Sequence, residues 1–600
     1  MRFRSGMQAW FRPRHFISAL AACAACLTAL PLLAADMGKT LRVLIVSGET
    51  SFDPAVASDL NTLSINENLF DPLLRYDYLA RPVKLRANTA RDLPETESDG
   101  KTYTFHLQRG IRFAASPAFQ GKSRELTAHD YVYSIKRLYD PKLKSPWLFL
   151  FDGLIAGDEA LKREPFDIDR PIDGLQALDR HTLRIRLTRP DNNFLFKMAM
   201  PATAAVAREA IEAYGADAGN HPVGTGPYLI AEWQRSSRIV LRANPDFRAT
   251  IFDHAPPAHA EDRDIASSLR GRRLPLIGRI DIRVVDEPQP RLLGFLQREF
   301  DILEQVPPAL IDKVMANGKL KPELAARRVR LALSAPLQTY YLWMNMDDPV
   351  LGGYGKDRIA LRRAIALSYD RDEDIRLLEH GLALPAHSPL PPDVLGHDPG
   401  YRSPVRRDTE LANALLDRFS YARGRDGYRN TPEGKPLILT MHTLASSAGR
   451  LRDEFWRRNL DAIGVRVEFK SDKHGEIIKA ARLGKVQMYE TNWIADFPDG
   501  ENFFQLLYGP NSGRVNYARF RQPAFDRLYE EAGRLRDSPQ RTRLYDAMTQ
   551  SLHMYAPWVL RIHPLSADLH QPWVRHYKRH PVELTNWRYL DIDDASRSPQ

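Results

Sequence analysis

Segments with the two-residue periodicity of a β-strand alternate with helical segments along most of this 600-residue chain, and this alternation restricts the fold more than any other feature. Residues 102–108 place Tyr103, Phe105 and Leu107 on one face and polar side chains on the other, as a half-buried strand requires. The same pattern recurs in four further segments, at residues 183–187, 280–284, 329–333 and 465–469. The sequence therefore predicts a protein built on sheets.

Amphipathic helices are predicted between these strands. Thr127 and Asp130 have the spacing of a capping box, and Tyr131, Ile135 and Leu138 follow on one helical face. Four further helices are expected, at residues 359–369, 409–419, 451–463 and 525–535. Because strands and helices alternate, the predicted fold class is α/β.

The first 35 residues have the pattern of an export signal. Four arginines occur within the first 14 residues, an apolar stretch follows over residues 16–34, and small residues precede Asp36. One alternative is a membrane anchor, since about 19 apolar residues can just span a bilayer. A second is lipidation of Cys23 in Leu-Ala-Ala-Cys, which the apolar residues through Leu33 disfavour because a lipoprotein would start a polar tether there.

The composition of the exported chain excludes several classes of site. Both cysteines, Cys23 and Cys26, lie in the predicted signal, so disulfides, Cys nucleophiles and thiolate metal sites are excluded. Removal of the four arginines lowers the formal net charge from +10 to +6. The remaining basic residues are interspersed with acids, which argues against nucleic-acid binding.

Three stretches interrupt the alternation of strands and helices. Residues 114–124, 142–174 and 251–273 are predicted to be surface insertions, to which the sequence assigns no role. The length suggests about three or four domain-sized units. No linker separates them, so domains made of discontinuous segments are expected.

Carboxylate pairs are the first candidates for a catalytic site. Asp372 with Asp374, or Asp496 with Asp499, could act as acid and base, but Asp is common at helix starts and turns. The nucleophile, zinc-protease, P-loop and dinucleotide-binding motifs are absent from the sequence. No catalytic residue is therefore predicted.

Two histidines near the C-terminus are the candidate metal ligands. His576 and His580 stand four residues apart, a spacing that could place them on one helix face. Arg575, Lys578 and Arg579 crowd the same stretch and oppose a divalent cation. A solvated basic surface is predicted there, with no metal site.

The strongest local motif is the glycine-rich segment His-Pro-Val-Gly-Thr-Gly-Pro-Tyr at residues 221–228. Its two glycines permit positive φ, and it should lead into a hairpin whose second strand ends at Asn244-Pro245. A phosphate-binding loop is the rival interpretation, but no helix start or lysine follows the glycines.

This motif and several others resemble the family 5 extracellular solute-binding proteins, the binding components of ABC importers for peptides and related solutes. The resemblance covers nearly the whole exported chain, because the motifs occur in the family's order. They are Ser-Phe-Asp-Pro at 51–54, Asn-Leu-Phe-Asp-Pro-Leu-Leu at 68–74, and the segments 98–113, 126–130, 340–345, 361–371 and 492–504.

The resemblance implies a periplasmic-binding-protein type II-like α/β fold, with two lobes around a ligand cleft and an extra α/β subdomain. Lobe I would combine residues 36–80, 195–335 and 557–600, the subdomain would occupy 81–194, and lobe II would occupy 336–556. Chain crossings near 333–341 and 557–562 would form the hinge.

The resemblance also implies a ligand site. In peptide-binding members the aspartate of the Trp-x-x-Asp motif holds the ligand's ammonium group, and that position is Asp496 here. Trp493 adjoins it, and Tyr341 falls on a ligand-contacting tyrosine of the family. Asn492 stands where peptide binders commonly have glycine, and Glu490 stands where one subgroup has a basic side chain. No residue is assigned to a ligand carboxylate.

The function implied by the resemblance is that of a monomeric periplasmic protein, not an enzyme and without a cofactor. It would bind a short peptide or related amine-bearing solute and deliver it to an ABC permease in the inner membrane. The alternatives are binding of chelated metal, haem or an oligosaccharide, as in other members of the family. A secreted hydrolase is a more distant alternative.

Overall fold

The computed structural model describes residues 35–257, 259–316 and 318–597. The predicted export signal therefore lies outside the described residues, apart from Ala35. In the described ranges, no helix combines the length and apolar character needed to cross a membrane.

A four-stranded sheet forms the core of lobe I. Its first strand, Asp36–Ile45, lies parallel to Ile277–Val284, which pairs antiparallel with Arg238–Ala243, and Tyr228–Gln234 follows at the edge. The predicted strand at 280–284 is thus confirmed. Its alternate side chains are buried against the helix Leu60–Leu69 and the C-terminal segment, in one apolar cluster.

The glycine-rich segment leads into the predicted hairpin, but its glycines are needed for a different reason. Neither Gly224 nor Gly226 has a positive φ. A Cβ atom on Gly224 would lie 2.0 Å from the carbonyl oxygen of Leu69, and one on Gly226 would lie 2.4 Å from that of Asn68. The segment therefore packs directly on the end of the helix Leu60–Leu69, where only glycine fits.

A second four-stranded sheet belongs to the subdomain. Its antiparallel strands are Glu95–Thr96, Thr102–His106, Thr182–Arg186 and Leu175–Asp179, in that spatial order. The helix Ala128–Arg137 covers it and starts at the predicted capping box, in which the Thr127 amide donates to the Asp130 carboxylate at 2.7 Å. The strands predicted at 102–108 and 183–187 and this helix are confirmed.

Two of the predicted surface insertions contribute to the subdomain core instead. Residues 142–174 form the short 3-10 helices Leu148–Leu150 and Asp158–Ala160, and they bury six apolar side chains in the cluster around this sheet. Residues 114–124 form the 3-10 helix Pro117–Phe119 and bury Phe119 in the same cluster. The predicted surface location is wrong. Small and polar residues lie between these apolar ones, so the apolar residues have no regular spacing that would indicate burial.

The third predicted insertion, at 251–273, is also structured. It forms the helix Ala260–Leu269, and the strands Thr250–Ile251 and Arg273–Leu274 pair at its base. Phe252 and Leu269 are buried against Tyr78 and Tyr589.

Lobe II is built on a six-stranded mixed sheet. Its strands, in spatial order, are Ala383–Pro385, Trp558–Pro564, Gln338–Met344, Met488–Ile494, Ile438–Leu444 and Arg466–Asp472. The strand predicted at 465–469 is confirmed as the last of these. The four helices predicted at 359–369, 409–419, 451–463 and 525–535 are confirmed as Lys356–Ser368, Thr409–Arg418, Ser447–Asp461 and Pro523–Arg534.

Two neighbouring chain segments pass between the lobes. Arg330–Ser334 pairs with Ser566–His570 in a three-stranded sheet with Ile302–Leu303. The strand that follows Arg330–Ser334, Gln338–Met344, and the strand that precedes Ser566–His570, Trp558–Pro564, both belong to the six-stranded sheet. The crossings therefore lie at residues 335–337 and at Leu565. The first falls within the predicted range, whereas the second lies beyond the predicted 557–562, because the strand Trp558–Pro564 belongs to lobe II. The full division into lobes stays a prediction.

The remaining elements of the described ranges include three short strand pairs and ten further helices, the longest of which, Pro539–Tyr555, packs into the lobe II core. Two-stranded pairs join Leu74–Tyr76 to Leu85–Ala87, Met315–Ala316 to Lys319–Leu320, and Val574–Arg575 to Asp591–Ile592. The other helices are Phe194–Lys197, Arg208–Tyr214, Pro288–Leu296, Ile311–Val314, Pro322–Ala326, Arg371–Leu377, His474–Arg482, Glu501–Phe504, Pro539–Tyr555 and Asp594–Arg597.

Candidate functional site

A cavity of about 1060 Å³ lies between the two lobes. Both chain crossings line it, through residues 333–338 and 564–567. Leu333, predicted as a strand residue on a buried face, is 45% exposed because its strand borders this cavity. The cavity is at the upper end of the range of small-molecule sites, which is roughly 300–1,000 Å³, so it can hold a solute of several residues.

The lobe II wall of the cavity consists of its lining residues within 338–393 and 494–496. It carries three carboxylates, those of Glu379, Asp393 and Asp496, and no lysine or arginine is among these lining residues. This side of the cavity is therefore suited to a cationic group.

Asn502 connects two of the predicted site residues. Its side-chain oxygen accepts from the Trp493 indole nitrogen at 2.7 Å and from the Asp496 amide at 3.3 Å, and its side-chain nitrogen donates to Asp496 Oδ2 at 3.2 Å. Asn502 is itself buried, at 1% exposed. The Asp496 carboxylate is thus oriented by a rigid neighbour, with its other oxygen left for a ligand.

The electrostatic surroundings of Asp496 agree with a role in binding. The carboxylate is exposed to the cavity, yet the walls of the cavity limit its solvation. This desolvation raises the pKa of Asp496 above its ordinary value, against the lowering effect of the Asn502 hydrogen bond. A cation that enters the cavity would offset the lost solvation, because opposite charge favours the ionised form.

Tyr341 does not lie on the cavity. It is 3% exposed, and its ring stacks on that of Trp558 with centroids 3.8 Å apart. Successive strand residues face opposite sides of the sheet, and the residue that lines the cavity is Tyr340. Asn492 lies opposite Tyr340 in the sheet register and is half-buried, outside the cavity lining. Ligand contacts by Tyr341, Trp493 and Asn492 stay predictions.

Glu490, one of the departures from the family pattern, belongs to a buried ion cluster. Arg561 is fully buried and donates to Asp374 and to Glu490, at 2.7 Å each. Arg452 lies 2.5 Å from Asp374 and 3.3 Å from Glu490. Glu379, which lines the cavity, accepts from Arg452 at 2.9 Å. The cluster therefore fixes the base of the lobe II wall.

Neither carboxylate pair considered as acid and base is placed for that chemistry. Asp374 is fully buried in the ion cluster, while Asp372 is exposed. Asp499 is 1% exposed and is held by two hydrogen bonds from Arg541 and one from Tyr545. These contacts assign Asp374 and Asp499 structural roles.

The wall opposite lobe II, termed the lobe I wall, consists of the cavity-lining residues within 60–88, 259–261 and 578–588, of which Arg81 and Asn88 fall in the predicted subdomain. The prediction of a solvated surface around His580 is wrong, because His580 is 4% exposed and lines this wall. His576 is directed elsewhere, with its Nδ1 atom 3.2 Å from the carbonyl oxygen of Tyr589. Across the described ranges no group of three potential metal ligands occurs.

Several residues of the cavity have no sequence signal that could have identified them. Arg75, Tyr76 and Glu583 come from a short strand and a C-terminal loop, about 500 positions apart in sequence, and Arg75 pairs with Glu583 at 3.2 Å. Only the lobe I fold brings them together. Tyr340 could have been found from the alternation of its strand, had the cavity-facing side of that strand been known.

A two-lobed α/β fold with a large cavity between the lobes is the architecture of a solute-binding protein. The sequence profile of the bacterial extracellular solute-binding proteins, family 5 Middle, matches residues 84–514. The chain therefore belongs to this family, as its motifs indicated.

Individual relatives match over most of their length. The di/tripeptide-binding protein 2 of Pseudomonas aeruginosa is 26% identical over 572 residues, which cover 92% of this chain and 95% of the relative. Haem-binding protein A of Haemophilus influenzae is 24% identical over 506 residues, which cover 83% of each chain. Among solved structures, the unliganded open form of the periplasmic murein tripeptide-binding protein MppA superposes with a TM-score of 0.72 at 22% identity, over 92% of this chain and 97% of that one. This last likeness concerns the fold.

Proposed function

We propose that this protein is the periplasmic solute-binding component of an ABC importer, and that it captures a short peptide or a related amine-bearing solute. The observation that carries the proposal is the Asp496 carboxylate at the cavity, which Asn502 orients. The family and the peptide-binding names of relatives support the same class of solute. The bound solute would be delivered to a permease in the inner membrane.

In this mechanism Asp496 binds the ammonium group of the solute. An ammonium and a carboxylate form a charge-assisted hydrogen bond, worth roughly 1.5–3 kcal/mol, which exceeds a typical neutral hydrogen bond. Glu379 and Asp393 lie on the same wall, but each already pairs with an arginine, Glu379 with Arg452 at 2.9 Å and Asp393 with Arg81 at 3.7 Å. Asp496 is therefore the main carboxylate for the ammonium group. Hinge closure would then bury the bound solute between the lobes.

The neighbouring predicted residues have different positions in this mechanism. Trp493 is tied to Asp496 through Asn502 and supports the amine site. Tyr340 lines the cavity and can contact the solute directly, whereas Tyr341 supports the strand from the core. Asn492 places a side chain, in place of the glycine of peptide binders, beside Tyr340 on the same face of the sheet.

A second candidate solute is haem, a chelated metal or an oligosaccharide. The cavity of about 1060 Å³ favours it, since this volume exceeds the needs of a dipeptide. The name of the Haemophilus relative also supports it. The carboxylates of the lobe II wall favour the amine-bearing solute over this alternative.

The test is native mass spectrometry of protein purified from the periplasm. A retained mass that fragments as a peptide supports the main proposal, and a haem, metal chelate or sugar mass supports the alternative. The same preparation, incubated with a peptide library, should leave the peptides intact, because the proposed protein is a monomeric binder and not an enzyme. Turnover of the library would overturn the non-enzymatic proposal.

Binding through the amine has its own test. Isothermal titration of the retained peptide is compared with titration of its N-acetylated form, which lacks the ammonium group. Acetylation should lower the affinity by roughly tenfold to a hundredfold, the equivalent of one charge-assisted hydrogen bond. Equal affinities would exclude amine recognition.

A further inference from the structure

Four polar atoms in the lobe I wall are buried with neither a hydrogen-bond partner nor an ion-pair partner, whereas a fifth buried atom without a hydrogen bond, Arg579 Nη1, lies 3.0 Å from Glu304 in an ion pair. The four are Arg75 Nε, Tyr76 Oη, His580 Nε2 and Glu583 Oε2. All four residues line the cavity. Most buried polar groups in proteins are paired, so four orphans together at a cavity wall call for a partner outside the protein.

Three of these atoms are hydrogen-bond donors. His580 Nδ1 accepts from the amides of Val582 and Glu583, at 3.1 and 2.8 Å, so in the neutral ring the proton is on Nε2. Burial, together with Arg81 and Arg75, lowers the pKa of His580 well below its usual value and keeps the ring neutral, although the carboxylate and the backbone carbonyl of the nearby Asp77 act in the opposite direction. The Arg75 Nε–H and the Tyr76 hydroxyl are the other donors, and the rings of Tyr76 and His580 lie 5.3 Å apart.

The charges of the two walls are opposite. The lobe I wall has five lysine and arginine side chains and three carboxylates, whereas the lobe II wall has three carboxylates and no cation among its lining residues. The cations of the lobe I wall are Arg75, Arg81, Lys578, Arg579 and Arg588, and its carboxylates are Glu67, Glu261 and Glu583. One pair of these charges already meets across the cavity, since Arg81 lies 3.7 Å from Asp393, and the remaining charges would orient a solute with an amine at one end and an anion at the other.

We propose that Arg75, Tyr76 and His580 bind the carboxylate of the solute on the lobe I wall, opposite the amine site at Asp496. This proposal rests on the proposed function and adds the position of the second charged group. Because the donors are already shielded from water, a carboxylate that reaches them gains hydrogen bonds without stripping water from the protein. The nearby Glu583 carboxylate opposes this binding and so limits its strength.

The experiment compares peptides that have a free carboxylate with the same peptides as C-terminal amides. Native mass spectrometry with a di- and tripeptide library first identifies a peptide that the protein retains. That peptide is then titrated as acid and as amide against the wild type and three variants, Tyr76→Phe, Glu583→Gln and Tyr589→Phe. Tyr589 is the matched control, since its hydroxyl is also buried and unpartnered but its residue does not line the cavity.

The wild type should prefer the acid by about tenfold or more, the equivalent of one hydrogen bond to a charged group. Tyr76→Phe should reduce this preference about threefold to tenfold, and Glu583→Gln should increase it, because a repelling charge is removed. Tyr589→Phe should leave it unchanged. Both tyrosine variants should melt at or above the wild-type temperature, since each loses an unpaired buried hydroxyl.

Failure of the carboxylate proposal can be told apart from failure of the proposed function. If acid and amide bind the wild type within twofold, or if the preference survives unchanged in both Tyr76→Phe and Glu583→Gln, the carboxylate does not bind at this wall, and the amine site is unaffected. If the library contains no retained peptide, peptide binding itself is wrong, and this inference falls with it. A Tyr76→Phe protein that fails to fold would leave the Glu583→Gln comparison to decide.

Discussion

The side-chain amide of Asn502 donates a hydrogen bond to the carboxylate of Asp496, with the two atoms 3.2 Å apart. Because Asn502 is buried and also accepts from Trp493, it holds Asp496 in one orientation before any solute arrives. Such preorganisation lowers the entropy cost of binding. The hydrogen bond from Asn502 depends on the shape of the Asp496 side chain, whereas ligand binding depends on its charge. The two roles of Asp496 can therefore be tested separately.

Replacement of Asp496 by asparagine should weaken solute binding and preserve the fold. The amide keeps the shape and can accept the Asn502 hydrogen bond, but it lacks the charge. The affinity should fall by roughly 1.5–3 kcal/mol, which is about tenfold to somewhat over a hundredfold. Isothermal titration with the identified solute and a thermal melt measure the two effects.

The control for this variant is Asp372→Asn, since Asp372 is exposed and lies outside the cavity lining. It should bind as the wild type does. An Asp496→Asn affinity within twofold of the wild type would remove Asp496 from the site. A lowered melting temperature with unchanged affinity would make it a structural residue only.

Replacement of the adjacent Tyr340 and Tyr341 should affect different properties of the protein, solute affinity in the first case and stability in the second. Tyr341→Ala removes a ring stacked on Trp558 in the core, so it should lower the free energy of unfolding by about 3–5 kcal/mol, as for other large core truncations. Tyr340→Ala removes a cavity-lining side chain and should mainly reduce solute affinity. Urea denaturation and titration of both variants test this division, and a strong affinity loss with unchanged stability in Tyr341→Ala would contradict it.

The ion cluster beneath the cavity should be important for stability. Asp374→Asn removes one of the two carboxylates that lie 2.7 Å from the fully buried Arg561, which should cost about 3–5 kcal/mol in the free energy of unfolding. Burial alone would raise the pKa of Asp374, but Arg561 and Arg452 outweigh it and hold that pKa below its usual value. Urea denaturation measures the cost.

An ion pair on the surface serves as the control for Asp374→Asn. Asp426 and Arg466 lie 2.8 Å apart with side chains 57% and 40% exposed, so Asp426→Asn should cost less than about 1 kcal/mol. Equal losses in the two variants would mean that burial does not set the strength of the Asp374 contact.

Local periodicity predicted most of the elements, and the reason is visible in the strands. Tyr103, Phe105 and Leu107 alternate because one face of their sheet is buried, and that constraint acts within a few residues. The insertion at 142–174 was misassigned because its core residues are spaced irregularly between turns. The spacing of apolar residues identifies regular helices and strands, but it does not identify a segment that packs into the core without regular secondary structure.

The site was harder to predict than the fold. Asp496 and Trp493 lie close in sequence, so a family motif could indicate both. Arg75 and His580 meet only through the fold of lobe I, and His580 stands among cations that suggested a solvated surface. Burial of a polar residue depends on contacts distant in sequence, which a local pattern does not contain.

Glu501 should make stability depend on pH. Burial, with Asp499 and Asp191 nearby, raises the pKa of Glu501 to about 7, and Asn193 donates to its carboxylate at 2.9 Å. A raised pKa means that the folded protein holds this proton more tightly than the unfolded chain. The associated stability is therefore fully present below about pH 4.5 and is lost as the pH rises through about 7.

Glu501→Gln should remove this pH dependence. Because the side chain is 30% exposed, we expect a gain over the wild type of only about 1 kcal/mol at pH 8, and little difference at pH 5. Urea denaturation at both pH values measures it, with the exposed Glu531→Gln as control. If the free energy of unfolding of the wild type, relative to that of Glu501→Gln, did not fall between pH 5 and pH 8, the raised pKa would be contradicted.

Processing of the N-terminus would decide whether the proposed periplasmic protein is free or tethered to the membrane. The strand Asp36–Ile45 begins at Asp36, directly after the proposed cleavage point, and the Asp36 amide donates to the carbonyl oxygen of Leu276 at 3.0 Å. Lipidation at Cys23 would leave 12 residues before Asp36, a tether of at most about 40 Å when fully extended. We expect intact-mass analysis of the periplasmic protein to place its N-terminus at Ala35 or Asp36, without lipid. Cys23→Ser should then give the same mass and the same export, whereas a diacylated mass starting at Cys23 would establish a membrane-tethered protein.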